Sequence, residues 1–298
     1  PGATAALVGM RADLLQELGD AAELKRADLD FAHLFSSWFN RGFLELERIT
    51  WDSPASVLAK IIAYEAVHAI NGWSDLRSRL EPVDRRCYAF FHPAMPGEPL
   101  VFTEVALVRG IPDSVQRVLS EEREEQAADA ADTAVFYSIS NCQKGLRGVS
   151  FGNLLIKQVV ADLARELPNL KTFLTLSPLP GFADWLSSAS QQPGTDDALQ
   201  AQAAHYLVNE KRSSGQPIDP VARFHLANGA EVQAVHIDAD TSDNGLRQSH
   251  GVMVNYLYDL QRVEAQQEAF ASDGTVAMSR AVRNRANQYR PVMTGEGA

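Results

Sequence analysis

Residues 134–140 read Ala134-Val135-Phe136-Tyr137-Ser138-Ile139-Ser140, and soon after them comes Lys144-Gly145-Leu146-Arg147-Gly148-Val149-Ser150-Phe151-Gly152. From Asn153 onward, Leu155, Ile156, Val159, Val160, Leu163 and Leu167 recur at helical spacing until Pro168 stops them. A strand, a glycine-bearing loop and a helix in that order predict a loop that feeds a helix N-terminus. Free backbone N–H groups and the positive end of the helix dipole gather there, and this suits a phosphate or pyrophosphate. Gly145, Gly148 and Gly152 allow close backbone approach, and Lys144 and Arg147 add positive charge. The spacing G-x-x-G-x-x-x-G is neither the P-loop nor the dinucleotide fingerprint, so the pattern alone fits an ordinary glycine-rich turn equally well.

Downstream, Phe173-Leu174-Thr175-Leu176 reads as a strand running straight into Ser177-Pro178-Leu179-Pro180-Gly181-Phe182. A rigid Pro-x-Pro-Gly corner would fix the Ser177 hydroxyl at a strand end, although a hydroxyl there also serves as a local turn cap. His225, in Arg223-Phe224-His225-Leu226, has apolar neighbours and is expected to alternate with them on a strand. Its ordinary pKa near ~6.5 suits proton transfer at neutral pH. His92, just before Pro93, is a similar candidate; the other histidines have no supporting pattern. Tyr256 and Asn255 lie on a last strand, Val252 to Tyr258, where sheet packing is their default role. No G-x-S-x-G elbow is present, and Ser177 precedes proline, which argues against a serine hydrolase.

Upstream, residues 1–80 read as helical, and 81–298 as a mixed second region. Phe31, Leu34, Phe35, Trp38 and Phe39 recur at i, i+3, i+4, i+7 and i+8, and Ser53-Pro54 looks like an N-cap followed by proline at the first helical position. Cys87 to Phe91 and Leu100 to Val108 read as a strand pair. The run Ser120 to Glu125 reads as a solvated face, residues 189–197 as a loop, and Arg262 to Tyr289 as helix-prone.

Length and composition set the bounds. The 298 residues carry 27 Lys+Arg against 38 Asp+Glu, for a net charge of −11, which disfavours a nucleic-acid partner. Apolar content of 45% and charged content of 22% fit a globular chain, and no apolar run is long enough for a membrane span. Two cysteines, Cys87 and Cys142, make no disulfide framework, and no Cys/His spacing suits zinc, so no metal is expected. Without a secretory signal, the expected compartment is a reducing cytosol. The chain begins at Pro1 without Met, which fits a fragment of a longer protein.

Several long motifs then combine. They are Trp38-Phe39-Asn40-Arg41-Gly42-Phe43-Leu44-Glu45-Leu46-Glu47-Arg48-Ile49-Thr50-Trp51, Pro96-Gly97-Glu98-Pro99-Leu100, Gly145-Leu146-Arg147-Gly148-Val149, Leu176 to Phe182, and Asp219-Pro220-Val221-Ala222-Arg223-Phe224-His225-Leu226-Ala227-Asn228-Gly229. In this order they resemble the malonyl-CoA decarboxylase family, over about residues 10–260. The resemblance implies an α+β chain: an all-helical N-terminal domain of self-associating type, then a catalytic domain of the N-acetyltransferase (GNAT) type. It also implies conversion of malonyl-CoA to acetyl-CoA and CO₂ with no cofactor, coenzyme A being part of the substrate. By motif, the catalytic serine falls on Ser177 and the catalytic histidine on His225; Ser138 and Tyr256 match positions lining the site, and His92 matches a functionally important histidine. The coenzyme A loop falls on Arg147, Gly148, Val149, Ser150, Phe151, Gly152 and Asn153. The stretch 189–197 is shorter than in animal relatives, and the end, Gly295-Glu296-Gly297-Ala298, is no peroxisomal signal; both imply a bacterial cytosolic form. The apolar helical region at one end makes a homo-oligomer the expectation, and the charge and the absence of a long apolar run leave neither a nucleic-acid nor a membrane partner expected. The competing readings are an acyl-CoA-dependent N-acyltransferase and a non-catalytic acyl-CoA sensor.

Overall fold

The structure is a computed structural model described over residues 2–19, 21–149 and 151–291, with only the backbone of 152–154 described. Contacts divide it into two units, residues 1–105 with 138–168, and residues 106–137 with 169–298.

The first unit begins with the helices Ala3–Glu17 and Ala22–Trp38. The aromatic stripe expected on the second packs ring to ring, with Phe35 centred 5.6 Å from Phe31 and 5.8 Å from Phe39. Its strands are β1 (Glu45–Ile49), β2 (Arg85–Phe91), most of β3 (Val101–Val108) and the end of β4 (Thr133–Asn141). β1 is antiparallel to β2, from Glu45 opposite Phe91 to Ile49 opposite Cys87. This corrects the all-helical reading of 1–80: Glu45, Glu47 and Arg48 make β1 a charged edge strand, which hides its period. Neither unit ends at residue 80; helices Ala55–Tyr64 and Trp73–Leu80 share a core with the sheet, in which Leu58, Ile61 and Leu76 pack with Ile49, Cys87, Phe91 and Phe102. Pro54 itself occupies the N-cap, one residue later than expected, and Ser53 instead accepts a bond at Oγ from the Thr50 N–H. Helix Gly152–Glu166 closes the unit, and its Glu166 pairs with Arg86 at 2.7 Å.

The second unit holds the start of β4, with β5 (Thr172–Pro178), β6 (Glu231–His236) and β7 (Met253–Leu257). β5 runs parallel to β4, from Thr172 opposite Thr133 to Thr175 opposite Phe136, and antiparallel to β7, where Ser177 faces Val254. β6 lies on the outer side of β7, with an irregularity between Val232 and Ala234. The result is a mixed α/β fold, as the resemblance implied. Leu174, Leu176 and Met253 anchor this sheet's core with Val115 and Tyr137. Helices Asp196–Asn209 and Pro220–Ala227 precede β6; Val263–Asp273 and Arg280–Gln288 follow β7. No described helix is long and apolar enough to cross a membrane.

Candidate active site

Ser177 stands near the C-terminal end of β5, and Pro178 ends the strand. The ladder to β4 stops at Thr175, so the Ser177 hydroxyl is placed beyond the paired part of β4 and β5. The corner that follows is close-packed: a Cβ on Gly181 would lie 2.6 Å from the Tyr206 hydroxyl, so glycine lets the Tyr206–Asp219 pair come up against it.

His225 is on a helix, Pro220–Ala227, and not on a strand as its apolar neighbours suggested. Asp219 caps that helix, its carboxylate accepting from the Val221 and Ala222 N–H groups at 2.9 and 2.8 Å, and Pro220 fills the first helical position. Helical spacing turns His225 inward with Ala222 and Leu226, all three buried.

Ser177 Oγ and His225 Nε2 meet at 3.1 Å. Ser177 donates its one proton to Thr175 Oγ1 at 2.9 Å, so its oxygen accepts from His225 Nε2–H. His225 Nδ1, then without a proton, accepts from the Tyr258 hydroxyl at 2.8 Å. Tyr256 stacks on the imidazole with ring centroids 4.4 Å apart, and its own buried hydroxyl has no partner among the described residues. Burial pushes the imidazole down to about 3, which corrects the expectation of a histidine titrating near neutrality. Burial also pushes both tyrosines well above the usual phenol range. The chain Tyr258–His225–Ser177 is therefore a line of neutral donors. In a nucleophilic triad a carboxylate sits behind the imidazole to stabilise its cation; here a phenol takes that place.

The other expected residues lie in the first unit. Ser138 Oγ donates to Glu65 Oε2 at 2.6 Å, and Ser140 Oγ donates to the same oxygen at 3.2 Å. His92 donates from Nε2 to the Trp38 carbonyl at 3.1 Å and accepts at Nδ1 from the Ala94 N–H; Phe39 packs on its ring at 4.7 Å. Both its nitrogens serve backbone groups. Arg147 and Gly148 form the exposed turn after the short helix Lys144–Leu146; Val149 follows, Phe151 is buried 6.2 Å from Phe39, and Gly152 starts the long helix. Ser150 and the Asn153 side chain lie outside the described residues. Asn255 is absorbed by the sheet, donating to the Thr175 carbonyl and accepting from His236 Nε2. Among the described residues no group of three or more His, Cys, Asp or Glu stands together as a metal site.

The model of the malonyl-CoA decarboxylase C-terminal domain matches residues 42–197 and 194–294, and that of the N-terminal domain matches 1–39. The chain belongs to the malonyl-CoA decarboxylase family. Mitochondrial malonyl-CoA decarboxylases of Anser anser anser and Rattus norvegicus are 37% and 35% identical to it, each over 95% of this chain. The chain spans 66% and 68% of their lengths. Crystal structures of malonyl-CoA decarboxylases from Rhodopseudomonas palustris and Agrobacterium vitis are both 50% identical, with TM-scores of 0.89 and 0.91. They align with 95% and 96% of this chain and 76% of theirs. The two C-terminal matches of the family model meet at 194–197, just where helix Asp196–Asn209 begins.

Within the family reading, sequence reasoning passed over Tyr258 and Glu65. Tyr258 follows Tyr256 by two positions, so strand alternation was the signal available for it. Glu65 had no comparable signal, since it ends a helix far along the chain from Ser138.

Proposed function

We propose that the chain decarboxylates malonyl-CoA to acetyl-CoA and CO₂, with Ser177 and His225 managing the proton. The observation that carries this is the neutral Tyr258–His225–Ser177 chain, which lacks a carboxylate behind the imidazole. In the reaction the bond from C2 to the carboxylate carbon breaks, CO₂ leaves, and the electron pair flows into the thioester as an enolate. The thioester carbonyl is the electron sink, so no cofactor enters the scheme. The enolate must then take one proton on C2.

A thioester enolate is far more basic than an alkoxide or a phenolate, so neutral donors suffice. When Ser177 swings its proton from Thr175 to C2, its oxygen still accepts from His225 Nε2–H. The imidazole proton follows onto Oγ, the Tyr258 proton onto Nδ1, and one proton taken up from solvent restores the phenol, after which the imidazole returns to its Nε2–H tautomer. Net, one carboxylate and one proton become CO₂ and the acetyl thioester. The unpartnered Tyr256 hydroxyl supplies a donor for the enolate oxygen, the kind of group worth roughly 3–4 kcal/mol of barrier when preorganised. Exclusion of water raises the free energy of the departing carboxylate. In this reading the glycine loop holds the coenzyme A pyrophosphate, and binding there supports the chemistry through remote binding energy. Ser138 and His92 are given no step in this scheme, since the hydroxyl is committed to Glu65 and both imidazole nitrogens to backbone groups.

Self-association through the helical stretch belongs to the same reading. Exposed Met10 (58%), Leu29 (68%) and Phe43 (56%) support it. So does a reducing, cytosolic setting, supported by two buried free thiols.

The test is incubation with malonyl-CoA without metal or amine acceptor, followed by mass spectrometry. Acetyl-CoA and CO₂ in equal amounts are expected. An intact substrate, or a product requiring an amine, would remove the assignment in favour of a sensor or an acyltransferase.

A further inference from the structure

The first helix of the chain reaches the glycine loop through a buried guanidinium. Arg11, 3% exposed, donates from Nη1 to the carbonyls of Gly145 and Arg147 at 3.0 and 2.9 Å. Its Nε donates to Asp28 on the second helix at 2.8 Å. A separate observation ties the same pieces together. A Cβ on Gly145 would lie 1.8 Å from the Val8 carbonyl oxygen, so only glycine lets the helix seat on the loop. Burying a guanidinium is costly unless all its partners are in place. Here two of those partners are the backbone of one loop.

The chemistry of this contact is directional. Carbonyl oxygens repel an anion, and a loop that binds phosphate must turn them away. Arg11 takes two of them and adds a fixed positive charge behind the turn. In front, the Lys144 and Arg147 side chains are exposed and unpaired with any carboxylate among the described residues. A cavity of about 400 Å³ opens beside them, walled by Ala12, Leu15 and Gln16 of the first helix and by Leu146, Val149 and Phe151 of the loop. Its apolar walls, amide groups and two flanking cations suit a nucleobase and ribose carrying phosphates, and its size is that of a small-ligand site.

We infer that this cavity receives the nucleotide end of coenzyme A, and that Arg11 is the positioning residue that sets the loop for it. The inference rests on the acyl-CoA reading above. It gives the N-terminal helices a part in substrate binding in addition to any part in self-association.

The experiment compares malonyl-CoA with malonyl-pantetheine, which lacks the nucleotide, in Arg11→Met, Arg11→Lys and Ala12→Trp. For Arg11→Met the ratio of KM for malonyl-CoA to KM for malonyl-pantetheine should rise about tenfold, a change equivalent to losing one good contact. Arg11→Lys should restore part of that ratio. Ala12→Trp, at a half-exposed helix position, should raise it by blocking the cavity, and it carries the test if Arg11→Met does not fold. Calorimetric binding of free coenzyme A should weaken in the same order. An unchanged KM ratio in Ala12→Trp, or equal rises for both substrates, would overturn the inference. If the wild type binds coenzyme A in this Ala12-dependent way but makes no acetyl-CoA, the decarboxylase reading fails and the nucleotide site stands.

Discussion

The buried serines of the two units are treated in opposite ways. Ser138 and Ser140, in the first unit, give their protons to one carboxylate, Glu65. Nearby, Arg79 donates to Asp75, to the His68 and Ala69 carbonyls and to Glu104, which is wholly buried. Ser177, in the second unit, touches only neutral groups: Thr175 and a histidine that burial keeps uncharged. The first cluster spends its polarity on holding carboxylates in place. The second leaves a hydroxyl and an imidazole N–H with protons to give. A buried hydroxyl bound to a carboxylate is a fixed donor, whereas one bound to neutral partners can reorient at little cost.

The largest expected effect breaks the first cluster. Arg79→Met strips the guanidinium from Asp75 and two carbonyls, and urea unfolding at neutral pH should show a loss of about 3–5 kcal/mol. A loss under about 1 kcal/mol would mean that the network is not holding the unit together. Glu104→Gln is the contrast. Burial first, and then neighbouring Glu65, push the Glu104 carboxyl up to about 8 despite Arg79, so at neutral pH it is mostly a neutral acid that accepts from the guanidinium. An amide has no proton to take up, so it should leave stability little changed at acid pH and raise it at neutral pH.

The next effect, on turnover, belongs to the second cluster. His225→Ala and Ser177→Ala should each lower CO₂ release by about 10²–10³, the scale for losing one aligned donor. Ser138→Ala, which removes a hydroxyl already committed to Glu65, should cost less than about tenfold. Equal losses at Ser138 and Ser177 would erase the distinction between the two serines. Tyr258→Phe sharpens it further: His225 Nδ1 is left without its donor, and turnover should fall roughly tenfold with KM little altered.

Much of this architecture is legible in the chain, and the exceptions have physical causes. The change of pattern between Ala134 and Leu167 marks a strand, a loop and a helix because β4 is buried on both faces and reads as an apolar run, whereas the helix after the loop repeats its buried residues at helical spacing. β1 escapes that logic, since only its last residue, Ile49, is buried and the charged residues before it leave no alternation to read. His225 was assigned to a strand because Phe224 and Leu226 flank it, yet Asp219-Pro220 ahead of it is a helix-start signal that should outrank a three-residue alternation. The meeting of Ser177 with His225 was not legible from spacing at all, since the two are brought together by the register of β5 and the cap of a separate helix. Only the ordered motifs of the family carried it. The chain's one partnerless tyrosine hydroxyl among the site residues, on Tyr256, likewise needs coordinates, because satisfaction of a buried group is a property of the packing.

The smallest effect per step is also the one with opposite signs in the two clusters. Glu104 has a folded-state pKa above its ordinary value of 4.5, so its contribution is complete below about 4.5 and is lost as pH rises toward about 8. His225 has a folded-state pKa below its ordinary 6.5, so its contribution is complete above about 6.5 and is lost as pH falls toward about 3. Each slope is at most about 1.4 kcal/mol per pH unit. His236, also lowered by burial, acts in the same direction as His225. Between about pH 4.5 and about pH 6.5 the Glu104 and His225 slopes oppose each other, so unfolding free energy measured in urea should change little there apart from the His236 contribution, fall from about pH 6.5 to about pH 8 through Glu104, and fall below about pH 4.5 through His225. Glu104→Gln should remove the fall between about pH 6.5 and about pH 8 and uncover the His225 slope between about pH 4.5 and about pH 6.5. His225→Phe should remove the fall below about pH 4.5 and uncover the Glu104 slope from about pH 4.5 upward, opposed there only by His236. If Glu104→Gln left the fall above about pH 6.5 unchanged, the buried carboxyl would have to be ionised at neutral pH. The first cluster would then be a charged pair, and the contrast with the neutral chain around Ser177 would be larger than drawn here.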